Sequence, residues 1–201
     1  MEIFVLAMLI AIGAYVLRAR ESSRRIALLG SHLGNYQIEK LMESLTEGYQ
    51  RALGESDPER RAQIWHLLGS TETKLSEQFN SFAAEFSTVD ERDARVSKLP
   101  ISIPFADKFF PDATFDLRKV LLVHAQGISD ASKNSAQRTP KGKAFALSAE
   151  LYLMQHSCHW FCKSKAVASA RMLHRHQTSY AQLLESVPAD TRRAYGALTG
   201  R

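Results

Sequence analysis

The stretch Ile3–Leu17 constrains this chain more than any other. Its fifteen residues carry no charge and no strongly polar group, and four arginines follow it closely: Arg18, Arg20, Arg24 and Arg25. With a rise of about 1.5 Å per residue, a helix over this run covers roughly 22 Å, against a hydrocarbon core of about 30 Å. Snorkelling of Arg18 and Arg20 and slight thinning of the bilayer make up the difference. The sequence therefore predicts a transmembrane anchor over residues 1–20, with Ile3, Phe4, Val5, Leu6, Leu9, Ile10, Ile12, Tyr15, Val16 and Leu17 as its lipid-facing body. A cleaved signal peptide and a core or interfacial helix compete for the same pattern. Glu2 stands where a signal peptide needs a basic segment, and no small-x-small cleavage site precedes the arginines. Nearly unbroken apolarity argues against a core helix, which alternates with polar positions.

The arginines set the expected orientation. Basic residues flanking a span stay on the cytoplasmic side, and here they all follow it, with only Met1-Glu2 before. The expectation is a single-pass protein of the cell (inner) membrane, its N-terminus outside and residues 18–201 in the cytoplasm. Two cysteines, Cys158 and Cys162, suggest no disulfide framework, which agrees with that compartment.

Beyond the anchor, about 180 residues remain, enough for one domain with a real core. A composition of 45% hydrophobic and 23% charged residues excludes intrinsic disorder. The net charge of +5 is unevenly spread. Residues 35–95 are acid-rich, whereas between 133 and 179 eight lysines and arginines face only Glu150. The predicted organisation is a basic juxtamembrane segment at 21–34, an acidic helical hairpin at 35–97 and a Pro/Phe-rich connector at 98–113. A basic helical region at 114–201 then packs with the hairpin as one domain. The fold class is all-α: a span followed by a bundle-like domain.

Hydrophobic periodicity carries that prediction. Ile38, Leu41, Leu45, Tyr49 and Ala52 share one face of a helix over 35–53, which Gly54 would end with a left-handed backbone. Ser56 and Glu59 fit a capping box, with Pro58 in the first turn. The next stripe is Ile64, Leu68, Thr71, Leu75, Phe79, Phe82, Phe86 and Val89, and it predicts a helix to about Ala94. The short link at Gly54–Asp57 predicts an antiparallel pair. The phenylalanine stripe reads as core packing or, more sharply, as a coiled-coil or partner-helix seam.

Pro100, Pro104 and Pro111 forbid a helix through the connector. The segment is nonetheless apolar, and Ile101, Phe105, Phe109 and Phe110 either pack across the domain, the favoured reading, or form an exposed docking patch. Further stripes predict helices over 114–133 and 143–187, the latter as one helix or two, and over 189–198. Gly30 and Gly34 mark expected breaks after the anchor.

Sites for chemistry are sparse. Cys158, His159 and Cys162 lie within about one turn on a helix, and zinc accepts thiolate and imidazole. There is no CxxC and no second cysteine pair, and Cys158 falls on an apolar stripe, so core packing is the simpler reading. His124 reads as a hydrogen-bonded core histidine. No nucleophile elbow, HExxH, Walker A or GxGxxG pattern occurs. Lys141, Lys143, Lys163, Lys165, Arg171 and Arg175 suit an anionic surface: lipid headgroups, the acidic hairpin of the same chain, or nucleic acid. The expectation is an adaptor or assembly subunit without cofactor, metal or catalytic site of its own. Its partners would be the membrane and a protein or second copy, contacted through the helical faces and the Pro/Phe segment. A membrane-tethered nucleic-acid-binding or regulatory domain is the alternative, and a metal-dependent enzyme at residues 156–162 the third reading.

Overall fold

The computed structural model describes residues 2–200 and is helical throughout its framework, with 80% helix and 3% strand, which makes the class all-α. Helix α1 (Glu2–Leu33) is followed by α2 (Ile38–Gly54), α3 (Pro58–Phe86) and the single turn α4 (Glu91–Ala94). Strand β1 (Arg95–Ser97) and strand β2 (Thr114–Asp116) enclose a loop holding the turn α5 (Ala106–Phe109). Then come α6 (Leu117–Lys133), α7 (Pro140–Cys162), α8 (Lys165–His176), α9 (Tyr180–Ser186) and α10 (Ala189–Thr199).

Helix α1 has two halves with different surroundings. Residues 3–20 are exposed along their whole length, and α1 is the helix among the described residues long and apolar enough to cross a membrane. From Glu21 onward it lies on the domain. Ser22 Oγ donates to the Cys162 carbonyl at 2.8 Å, and Leu29 is buried. His32 and Tyr36, the latter just past the helix end, both bond Glu85, at 2.8 and 2.7 Å. The Tyr36 hydroxyl, and then His32, hold the Glu85 carboxyl below its usual range. Gly30 does not break the helix, because the bonds to Cys162 and Glu85 brace the chain on both sides of it; the break comes at Gly34.

Helices α2 and α3 run antiparallel. Gln37 N donates to Gln78 Oε1 near one end, and Tyr49 packs on Trp65 near the other. The link differs from the sequence expectation in detail. Gly54 is the last helical residue and Glu55 turns extended, so no left-handed cap forms. Asp57, not Ser56, is the N-cap: its carboxylate accepts from the amides of Glu59 and Arg60, with Pro58 at the first position. An aspartate one residue nearer the proline reaches those amides directly, so the box is not needed. The phenylalanine helix also ends earlier than its stripe suggested, at Phe86. Ser87 and Thr88 turn their hydroxyls back onto carbonyls of the last turn, and Asp90 caps a separate turn.

The core lies where α3 and α6 meet α2 and α7. Leu75, Phe79, Phe82, Leu117, Leu121, Ile128, Leu147 and Leu153 are all fully buried there. Asp116 caps α6 by accepting from Arg118 N, and Thr139 caps α7 by accepting from Gly142 N. The region 143–187 is three helices. Lys163 leaves helical geometry, and buried Ser164 caps α8 through Val167 N; Gln177 takes a left-handed backbone and Ser179 opens α9 with a capping box. These caps are short polar residues whose role shows only once the neighbouring helices are in place.

Candidate functional site

The end of the domain at which α1 leaves it gathers most of the residues singled out in the sequence. Three bonds define this near end. Arg25 Nη1 donates to the Phe161 carbonyl at 3.3 Å, Trp160 Nε1 donates to the Ser97 carbonyl at 2.8 Å, and Ala166 N donates to the Pro100 carbonyl at 3.0 Å. The C-terminus of α7, the start of α8 and the start of the Pro/Phe loop therefore meet beside Arg25. Arg25, Ile101, Ser102, Ile103, Lys163 and Ser164 border one shallow crevice there.

The loop between the strands is not packed across the domain as expected. The strands tie its ends together, with Arg95 opposite Asp116 and Ser97 opposite Thr114, and among the described side chains within it only Ala106 is buried. Ile101 is 55% exposed, Phe105 49%, Phe109 70% and Phe110 51%. Leu99 is exposed as well. The physical reason is local: three prolines keep the chain out of helix and sheet, so the loop has no periodic face to turn inward. Phe105 also takes a left-handed backbone, φ 58° and ψ 28°, a conformation that a bulky residue rarely adopts. Lys108 Nζ stands 5.4 Å from the centre of the Phe105 ring.

The four arginines divide into two pairs. Arg18 and Arg20 are exposed and make no ion pair among the described residues. Arg24 pairs with Asp93, and Arg25 bonds Glu21 while its guanidinium lies 5.3 Å from the centre of the Phe161 ring. The second pair thus fastens α1 to the domain.

The basic residues of 133–179 are also dispersed by the fold. Lys143 forms an ion pair with buried Glu72, whose other oxygen accepts from the Tyr49 hydroxyl at 2.6 Å. Burial, then the Glu72 charge, pushes the Tyr49 hydroxyl far above its normal range. Lys165 Nζ lies over Trp160 at 4.8 Å and Tyr180 at 5.4 Å. Lys141 is exposed on the first turn of α7, and Lys163 is half-buried at its end. Arg171 and Arg175 are exposed on α8 and line a groove with His159 and His174.

Cys158, His159 and Cys162 border a cleft of about 300 Å³ between α1, α2 and α7, shared with Leu29, Met42 and Met154. Burial pushes the Cys158 thiol up to about 12 and the Cys162 thiol up to about 11. His159 is held below its usual value, first by burial and then by Arg171 and Arg175. Among the described residues no three His, Cys, Asp or Glu side chains converge to hold an ion. Cys158 instead lies 3.8 Å from the Met154 sulfur.

Two buried polar clusters lie outside these sites. His124 Nε2 bonds Ser157 Oγ at 2.9 Å in the core, as expected of a core histidine, and burial lowers its pKa to about 3. Glu150 is fully buried on α7 against Gly127 of α6 and accepts from the Thr191 hydroxyl at 2.5 Å. Burial raises its carboxyl to about 7. Any side chain at position 127 would meet the Glu150 carboxyl, so the glycine provides its space. Sequence reading passed over this pair, although a lone acid in a basic region was a signal. Compared with known protein families, with curated proteins and with solved structures, the chain matches none of them.

Proposed function

We propose that this chain is a single-pass membrane protein whose helical domain is held at the cytoplasmic face of the cell membrane and acts as an interaction module, an adaptor or assembly subunit. The observation that carries the reading is the character of α1. Its apolar half is exposed from end to end, which in water leaves a contiguous apolar surface far larger than soluble monomers tolerate. Lipid removes that surface from water. The arginines that follow the run give the cytoplasmic orientation. The same helix then continues without a break onto α3 and α7, so a rigid rod, not a flexible tether, joins anchor to domain. An interaction role draws on what such a rod delivers: a domain presented at fixed height, with apolar side chains at its near end and Leu53 and Leu67 exposed near the far tip of the α2–α3 hairpin.

The engagement of Lys143 with Glu72 and of Lys165 with two rings leaves fewer cations for a nucleic-acid surface, which favours the interaction reading over the tethered nucleic-acid one. The test uses the full-length chain with a C-terminal tag. It should stay with membranes through an alkaline wash, and the tag should be digested in inverted vesicles but not in intact cells. A chain released by the wash, or a tag cut from outside, overturns the reading. Crosslinking in intact membranes followed by mass identification should then capture a protein partner or a second copy.

A further inference from the structure

We infer that the Pro/Phe loop between β1 and β2 is a second membrane contact, a lipid-interface wedge beside the anchor that sets how the domain sits on the bilayer; this inference rests on the anchor reading above.

The argument begins with position. The loop starts beside Arg25, through the shared crevice with Ile101 and Lys163 and the bond from Ala166 to Pro100. Along an unbroken helix, Arg25 is about 12 Å below Leu17, the last residue of the apolar run. A loop of residues 98–113 rooted at that height is within reach of the headgroup and upper acyl region, where interfacial segments bury their apolar faces to about 5–10 Å.

Chemistry points the same way. Ile101, Phe105, Phe109 and Phe110 are all about half exposed or more, and they belong to a loop whose start borders Arg25 of α1. In a soluble domain such a patch carries an unfavourable hydration term with nothing to offset it. Aromatic side chains at a lipid–water boundary are in the environment that suits them.

Charge completes the fit. The loop itself is balanced, with Lys98 and Lys108 against Asp107 and Asp112. The surrounding near end carries bases: Arg18 and Arg20 on α1, and Lys163 just past the end of α7, form no ion pairs among the described residues, while Glu21 and Asp93 are taken up by Arg25 and Arg24. Each such cation adds to the attraction toward an anionic leaflet. A protein partner would find four apolar side chains rimmed by bases and directly under a membrane. The lipid surface is already there and needs no further ordering of the chain.

The test places a reporter on the loop of the full-length chain reconstituted in vesicles containing anionic phospholipid with brominated acyl chains. Phe109→Trp adds an indole at the loop, and Leu67→Trp adds one near the far tip of the α2–α3 hairpin; the fluorescence of the native tryptophans is subtracted using the unaltered chain. Bromine should quench most of the emission added at position 109 and little of that added at 67. Equal, weak quenching at both positions, with the chain still retained through an alkaline wash, overturns the wedge while leaving the anchor intact. Release of the chain by that wash overturns the anchor itself. An indole at 109 that ignores bromine and is shielded only as protein concentration rises assigns the loop to a second copy, and also overturns the wedge.

Discussion

Two groups of three phenylalanines meet opposite fates in this molecule. Phe79, Phe82 and Phe86 are wholly buried, and Phe105, Phe109 and Phe110 are about half exposed or more. The residue type is the same, so hydrophobicity alone does not separate them. Spacing does. The first three follow three- and four-residue steps on α3, so their rings share a face and stack into one another: centroids lie 5.6 Å apart for Phe79–Phe82 and 5.9 Å for Phe82–Phe86. The second three sit among prolines, where no regular element lines them up. A side chain finds the core when a long helix carries it there; on a short turn between prolines it stays where the loop leaves it, and here that loop starts beside Arg25 of α1.

The comparison can be broken most decisively at Phe82. Phe82→Ala removes a ring packed on Phe79, Phe86 and Tyr36 and should cost about 3–5 kcal/mol, seen as a lower midpoint in denaturation of the full chain in mild detergent. A cost below about 1 kcal/mol would mean that the α3 stripe is not the keel of the fold.

A buried acid in the same core sharpens the contrast through pH. In the folded chain Glu150 keeps its proton up to about pH 7, whereas unfolded it ionises near 4.5. The folded state therefore binds the extra proton between those values. This group favours folding fully below about pH 4.5, and that contribution drains away as pH rises through 7. Glu150→Gln should stabilise the chain at pH 8 by up to about 3 kcal/mol and change little at pH 4. Parallel pH profiles for the two chains would show that the carboxyl is more solvated than its place against Gly127 implies.

The smallest effect is expected at the loop. Phe110→Ser should leave the denaturation midpoint in detergent within about 0.5 kcal/mol of the unaltered chain, because the ring is already half exposed and lies outside the core. A large loss there would equate the two phenylalanine groups and remove the reason for assigning the loop to an outside surface.

Much of the framework was legible from residues alone. The stripes of α2, α3 and α6 emerge with the faces their spacing implied, and His124 lies in the core with its ring bonded. The site was far less legible. Lys141, Lys143, Lys163 and Lys165 read as one basic tract, but the fold sends Lys143 to Glu72 and lays Lys165 over two rings, because cations along a chain are sorted by what comes to face them. Cys158, His159 and Cys162 share a helix and one cleft, yet among the described residues they do not converge as a ligand set, because helical spacing alone does not aim three side chains at one point.

What the sequence determined by itself is local. An uninterrupted apolar run makes a helix apolar on every side, and a three-to-four-residue rhythm makes helices with one greasy side, because both follow from the rise and turn of a single helix. What only the tertiary structure decided is non-local. It divided Arg18 and Arg20, left facing solvent, from Arg24 and Arg25, spent on fastening the rod. It brought Gly127 against Glu150, and it set the start of the proline-bound loop beside Arg25 of α1. Such pairings join residues tens of positions apart, and no pattern in a short window of sequence specifies which distant surface a residue will meet.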